Sequence, residues 1–458
     1  MYGLLSELPG TLPPMKVLAP MTIFLRSERF RRLSKEGFWI VLGQTAVVVG
    51  SLVGVRLLTG LLVPAAYGEL ALGMTVATLV YQVVLGPLGN GVTRFYAPAQ
   101  EQGDLGGYLN AIRQLVLSAT GVIILMILFA VVGLLIIGRT EWIAIATAAF
   151  IFAILSGYNS ILSGIQNAAR QRSIVALHQG MESWLRFLVA AGLMLWLGAT
   201  SAIAMVGYAI AVILVLGSQY VFFRKIVPIR ITEAAKERNW QEQIWKYSWP
   251  FAIWGIFTWA QIASDRWALK LFSTTQDVGL YAVLFQLGYY PMTIVTGMAM
   301  QLLAPIFYQR AGDASESRRI ANVNKLSWRL TEFSLGVIFI AFLVVFMFHT
   351  QIFRIFVAKE YASISYLLPW TFLAGGIFAA GQTIALNLMS QNKTQAMTAV
   401  KIVTALLGVI FNFAGAYWYG ITGIVIAGVL FSVLYFLWML VLSRKADGEL
   451  ACALENGI

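Results

Sequence analysis

His178, Glu182 and Arg186 recur every four residues in an otherwise apolar stretch, so on a helix they stack along one face. Acid before base at this spacing is the favourable order for a local ion pair. Arg186 falls near the middle of a segment long enough to cross a membrane, where an isolated charge costs roughly a few kcal/mol or more. Such a group faces either a partner or a water-filled cavity. Two roles therefore fit: Glu182 and Arg186 neutralise each other in a packed interface, or they line a hydrated cavity that takes a charged substrate or coupling ion. We expect the cavity, with His178 on the same face.

A second cluster, Asp265, Arg266 and Lys270, lies at the outer end of a later apolar segment. Asp265 and Lys270 miss the three- or four-residue spacing of helical pairs. Interfacial anchoring with snorkelling side chains fits them, and so does a gate contact in the outer leaflet. Arg56, four residues before Gly60, occupies a comparable late position and takes the same two readings. Gly86-Pro87-Leu88-Gly89-Asn90-Gly91 predicts a kinked or partly unwound helix, because Pro lacks a donor and Gly loosens the ladder. Freed carbonyls there could coordinate a cation, while a plain cytoplasmic helix end explains the same residues. Arg94, which closes that stretch, is a further candidate for a cationic lining, and Glu332 for a proton or cation site. Trp240, Trp245, Trp249, Trp254 and Trp259 read as an aromatic belt with packing, or as a surface for stacking sugars.

No phosphate-binding glycine loop, dinucleotide fingerprint, zinc-protease helix or nucleophile elbow occurs in the sequence. The single Cys452 and two histidines, His178 and His349, give no metal-binding spacing, and we expect neither metal nor other cofactor. Movement of a substrate would then draw on a gradient, of protons or sodium or of the substrate itself.

These side chains must be held by membrane helices. The chain of 458 residues is 59% hydrophobic and 11% charged, with a mean hydropathy of +0.78. A hydrocarbon core about 30 Å thick takes roughly 20 apolar residues per helix. On that measure spans are predicted at 38–62, 70–93, 114–137, 141–165, 174–197, 200–223, 244–265, 278–306, 328–348, 361–388, 397–418 and 421–443. Of the 32 lysines and arginines, 25 fall on one side of this arrangement and five on the other, with Arg56 and Arg186 inside spans. The basic side is cytoplasmic, so both termini are expected there. The net charge of +12 is thus an orientation and headgroup signal rather than a sign of nucleic-acid binding. Residues 1–25 lack a basic leader and do not read as a secretory signal.

The resulting plan is an N-terminal tail (1–37), a six-helix lobe (38–223), a cytoplasmic linker (224–243), a second six-helix lobe (244–443) and a C-terminal tail (444–458). With an even number of crossings per half, any repeat is parallel, about an axis along the membrane normal. VPAAYGELALG (63–73) follows the first span as TTQDVGLYAVL (274–284) follows the seventh. IQNAARQRSIVAL (165–177) precedes the fifth span as SQNKTQAMTAVKI (390–402) precedes the eleventh. The same order in both halves points to duplication.

Several of these stretches resemble a known family. VRLLTGLLVPAAYGELAL with GNGVTRFYA, and SDRWALKLFSTTQDVGLYAVLFQLGYYPMTIV leading to LLAPIFYQRAGD, are similar to the polysaccharide transporter, or Wzx-type oligosaccharide flippase, branch of the multidrug/oligosaccharidyl-lipid/polysaccharide superfamily. The resemblance covers about Lys35 to Ser443. It implies an all-α polytopic membrane protein whose two parallel six-helix lobes surround a central cationic cavity. It further implies a flippase that moves an undecaprenyl-diphosphate-linked oligosaccharide across the bacterial inner membrane by alternating access, for exopolysaccharide, capsule or O-antigen assembly. Polysaccharide polymerase and glycosyltransferases would be its partners, and Arg186 fits the cavity by position. The rival readings are a cation-coupled multidrug exporter of the same superfamily, which wants cavity acids, and a membrane glycosyltransferase or polymerase, which wants a long external loop.

Overall fold

The computed structural model describes residues 28–226, 239–312, 316–391 and 394–455. The expected tail before residue 28, most of the linker (227–238) and the Cys452 side chain lie outside the described residues. The described residues are almost all helical: α1 (Glu28–Leu61), α2 (Pro64–Glu101), α3 (Leu105–Ile136), α4 (Ile143–Ala168), α5 (Arg172–Leu197) and α6 (Ser201–Ile226) form the first lobe. The second holds α7 (Trp240–Phe272), α8 (Thr275–Ala311), α9 (Ser317–Phe356) and α10 (Leu368–Ser390). Its last stretch, Thr394–Glu455, is broken by Gly420 at φ 54° into α11 (394–419) and α12 (421–455). A left-handed backbone there favours glycine and turns the chain back on itself.

Among the described residues ten stretches are long and apolar enough to cross a membrane, and one of them, Ala399–Ala446, takes in most of both α11 and α12. The tryptophan-rich α7, which scores lower on hydropathy, runs 33 residues, about 50 Å, and packs against α2, α8 and the α11–α12 pair. The twelve expected spans are thus all helices, most of them longer than the apolar stretch alone. Short connectors end in side-chain caps that satisfy free amides: Asp104 accepts from Gly107 N (3.0 Å), and Thr274 from Asp277 N (3.1 Å).

Of the kink or partial unwinding expected at Gly86–Gly91, the unwinding is absent, and the helix continues to Glu101. A π-helical turn at Tyr81–Leu85 precedes it, placing Pro87 at the start of the following α-helical segment, where its missing donor costs little.

The lobes meet mainly through α1, α2 and α3 on one side and α7 and α8 on the other. At the crossing of α2 and α8, Gly68 lies against Thr275 and Gly279, and Gly279 lies against Pro64 and Gly68. The contact is reciprocal, and the two segments are those aligned as a repeat, 63–73 with 274–284. A local two-fold axis passes between the glycines. Only residues without Cβ allow backbones so close.

Candidate functional site

Arg186, at mid-α5, and Arg266, in α7, face one cavity of about 230 Å³ between the lobes. The rest of its wall mixes aliphatic side chains such as Leu70 and Ile262 with aromatic and neutral polar ones, among them Tyr67, Tyr208, Trp259 and Gln286. Each guanidinium rests on ring faces. That of Arg186 is 5.0 Å from the Phe187 centroid and 5.1 Å from that of Tyr208, and that of Arg266 is 4.6 Å from Phe285. Such stacking holds a planar cation while leaving its edge donors free. The Arg186 Nε is buried with no hydrogen-bond partner.

Arg266 is partly offset by Asp265 at 3.2 Å. Asp265 Oδ1 also accepts from the Arg266 backbone amide (2.6 Å), and Oδ2 accepts from the Tyr281 hydroxyl (2.9 Å). The acid is therefore engaged on both oxygens inside the second lobe, beside a smaller cavity of about 80 Å³ that includes Gln261 and Asn412. Arg186 has no comparable carboxylate. Glu182, one turn away, makes no salt bridge with it among the described residues; its Oε2 accepts from Asn159 Nδ2 at 2.7 Å. Glu182 instead faces a separate polar cavity of about 290 Å³ with Tyr81, Ser156, Asn159, Ser160 and Gln179. The two spaces adjoin at Thr78.

The helical face read from sequence is thus divided. His178 turns away from both cavities: it is 1% exposed, its Nδ1 pairs with Ile174 O (2.7 Å), and its Nε2 pairs with Ser218 Oγ (3.1 Å) on α6. Four-residue spacing drifts around a helix of 3.6 residues per turn, which carries His178 into the α5–α6 contact. Arg266 moves the other way. Its expected place was an outer anchor or gate, but α7 continues to Phe272 and keeps Arg266 inside the bundle. The signal was present in the spacing, since Trp259, Ala263 and Arg266 line the cavity at i, i+4 and i+7.

Polar contacts cross between the lobes on both sides of the cavity. At one end of the bundle, Arg56 Nη1 donates to Val357 O, Ala358 N donates to Thr59 Oγ1 (3.2 Å), and the Tyr361 hydroxyl donates to Leu62 O (2.7 Å). Lys270 bonds Thr275 Oγ1, and its ammonium lies 5.2 Å from the Trp142 ring of the first lobe. Beside the cavity, Gln286 donates to Ser51, and Trp259 Nε1 to Thr75 O (2.7 Å). Toward the other end, Trp240 Nε1 donates to Asp104 Oδ2 at 2.6 Å. Arg94 and Glu332 are exposed and line none of these cavities. Of the five tryptophans around α7, Trp259 reaches the central cavity and Trp240 is buried, while Trp245 and Trp249 line an apolar crevice with α2 and α3.

A family model described as polysaccharide biosynthesis protein matches residues 33–310, more than half of the chain. The chain belongs to the polysaccharide biosynthesis protein family. No curated protein matches this polysaccharide biosynthesis protein by sequence. Among solved structures, an inward-facing multidrug resistance MATE transporter of the MOP superfamily superposes with a TM-score of 0.64 at 13% identity, covering 91% of this chain and 98% of its own. The lipid II flippase MurJ in an inward closed conformation gives 0.63 at 13% identity, over 89% and 86% of the two chains. A MOP superfamily transporter from Pyrococcus furiosus, described as having a binding pocket of reversed polarity, gives 0.61 at 15%, over 93% and 98%. At these identities the likeness is one of fold. The fold is that of the MOP transporters, and this family member is a multi-pass membrane protein.

Proposed function

We propose that the chain is a flippase for an undecaprenyl-diphosphate-linked oligosaccharide in the bacterial inner membrane, with both termini cytoplasmic. The observation that carries this reading is the pair Arg186 and Arg266, one from each lobe, in a single aromatic-lined cavity. A diphosphate offers oxygen acceptors suited to two stacked guanidinium forks, and aromatic faces suit the apolar faces of sugars. Because the arginines belong to different lobes, an anion between them is gripped when the lobes close and released when they part. The lobes rock about the glycine crossing, exposing the cavity to each leaflet in turn, with no bond made or broken in the substrate.

The cavity of Glu182 is the place for the coupling ion. Asn159 Oδ1 and Ser156 Oγ are buried there without partners, and with the carboxylate they form an oxygen set for a proton or a sodium ion. The same acid is what a cation-coupled multidrug exporter would use. Its central cavity, however, would want acids, and here the central charges are two arginines and an Asp265 already bonded on both oxygens.

The test is a strain lacking this gene. Labelled lipid-linked glycan accumulates on the cytoplasmic side, and export returns with the wild-type chain but not with Arg186→Gln/Arg266→Gln. Normal arrival of precursor in the outer leaflet of the deletion strain overturns the flippase reading.

A further inference from the structure

A third polar cavity, of about 180 Å³, lies within the second lobe, walled by α7, α10, α11 and α12. Lys401, Gln382, Gln261 and Tyr435, with Thr258 and Thr404, supply its polar lining, beside aromatic groups such as Trp254. From sequence Lys401 counts only toward cytoplasmic charge, yet it sits two residues inside the apolar span that begins at Ala399. Among the described residues its ammonium has no carboxylate partner. Snorkelling toward water accounts for a lysine at that depth. It does not account for Tyr435, which is 2% exposed and whose hydroxyl is buried with no hydrogen-bond partner. A buried hydroxyl left unpaired is costly, and tyrosine usually finds an acceptor.

The lining is rich in donors and holds no carboxylate. Asp265, in the neighbouring cavity that shares Gln261, is occupied by Arg266 and Tyr281. What is lacking is an anionic oxygen group. The cavity's volume, that of roughly six waters, admits one phosphoryl group. Lysine serves as a compact point charge for phosphate, and the surroundings are membrane. We propose that Lys401 Nζ and the Tyr435 hydroxyl form a second anion site, which holds the phosphate of a membrane lipid. That the lipid is the glycan carrier rests on the flippase reading; the phosphate chemistry does not.

The experiment uses the full chain in phosphatidylcholine nanodiscs with radiolabelled undecaprenyl phosphate as probe. Lys401→Gln weakens binding about tenfold and Tyr435→Phe about threefold. Lys401→Arg, which keeps the charge, stays near wild type and serves as the folded control. Arg186→Gln/Arg266→Gln keeps the binding component that Lys401→Gln removes, so failure of the central-cavity reading and failure of this one give different patterns. Competition separates the sources: displacement by equimolar phosphatidylglycerol assigns ordinary phospholipid, and resistance to it assigns the carrier; either outcome supports a lipid-phosphate site. Displacement by inorganic pyrophosphate alone overturns the lipid assignment. Wild-type affinity in both Lys401→Gln and Tyr435→Phe overturns the site.

Discussion

Gly68→Ala tests whether the glycine crossing of α2 and α8 closes the outer side of the transporter. The added methyl would lie 2.9 Å from Gly279 N and 3.1 Å from Thr275 C, and would overlap the Thr275 carbonyl oxygen. All three partners are backbone in the first turns of α8, so no rotamer change relieves the clash and the helices must part. Overpacking of this kind costs about 1–3 kcal/mol. At about 2 kcal/mol the balance between closed and parted crossings moves roughly 30-fold toward the parted state. A thiol reporter reads that balance. In a Cys452→Ser background, Leu62→Cys places a single cysteine at a position 1% exposed, beside the Tyr361 contact. Its labelling by a membrane-impermeant maleimide from outside follows the open fraction. Gly68→Ala raises that rate roughly 30-fold, and Gly279→Ala, whose methyl meets Pro64 in the mirrored contact, does the same. Both methyls act at one contact, so the double variant adds much less than a second such factor. If well-folded Gly68→Ala labels within about twofold of its parent, where about 30-fold is expected, the crossing is not a closure contact.

Arg186→Ala abolishes export in the deletion strain while membrane insertion stays normal, and Arg186→Lys retains part of it because charge survives without the planar fork. Since Glu182 and Arg186 do not pair, Glu182→Gln/Arg186→Gln is well expressed yet inactive; normal export by that variant would make both residues structural. His178→Leu lowers stability by about 1–3 kcal/mol in thermal unfolding through its lost Ile174 and Ser218 partners, with transport per folded molecule unchanged. Reporter fusions at Gly448 and near Thr140 read cytoplasmic and extracytoplasmic respectively, and an external signal at Gly448 would reverse the orientation.

The fold was legible because its driving pattern is one-dimensional: twenty-residue apolar runs become spans wherever they fall, and their number follows from counting. Even α7 was found despite its tryptophans, because no competing structure satisfies an apolar backbone in lipid. The site was only half legible. Arg186 announced itself by lying at the middle of a span, but Arg266 lies near a helix end, where a charge has an ordinary explanation. Only the packing of one lobe against the other brings it to the same cavity as Arg186. The spacing left pairing and cavity lining both open for Glu182 and Arg186, and it could not show that the two side chains face different cavities. Asn159, from a different helix, takes the carboxylate, and nothing in local sequence predicts that. Gly86-Pro87 marked an irregular stretch of helix but not its form, a π turn one step earlier that takes up the proline without unwinding.

The reciprocal contact at Gly68 and Gly279 has the form made by two identical subunits across a dyad, each offering the other the same patch. In a true homodimer of six-helix units every substitution appears twice, and an acid in one subunit demands the same acid in the other. Joining the units in a single chain lifts that demand while keeping the dyad at their meeting point. The first lobe carries Glu182 in the cavity bounded by α4 and α5, and the second carries Lys401 in that bounded by their repeat counterparts α10 and α11. One symmetric frame can thus hold a cation on one side and an anion on the other, a division of labour closed to a pair of identical halves.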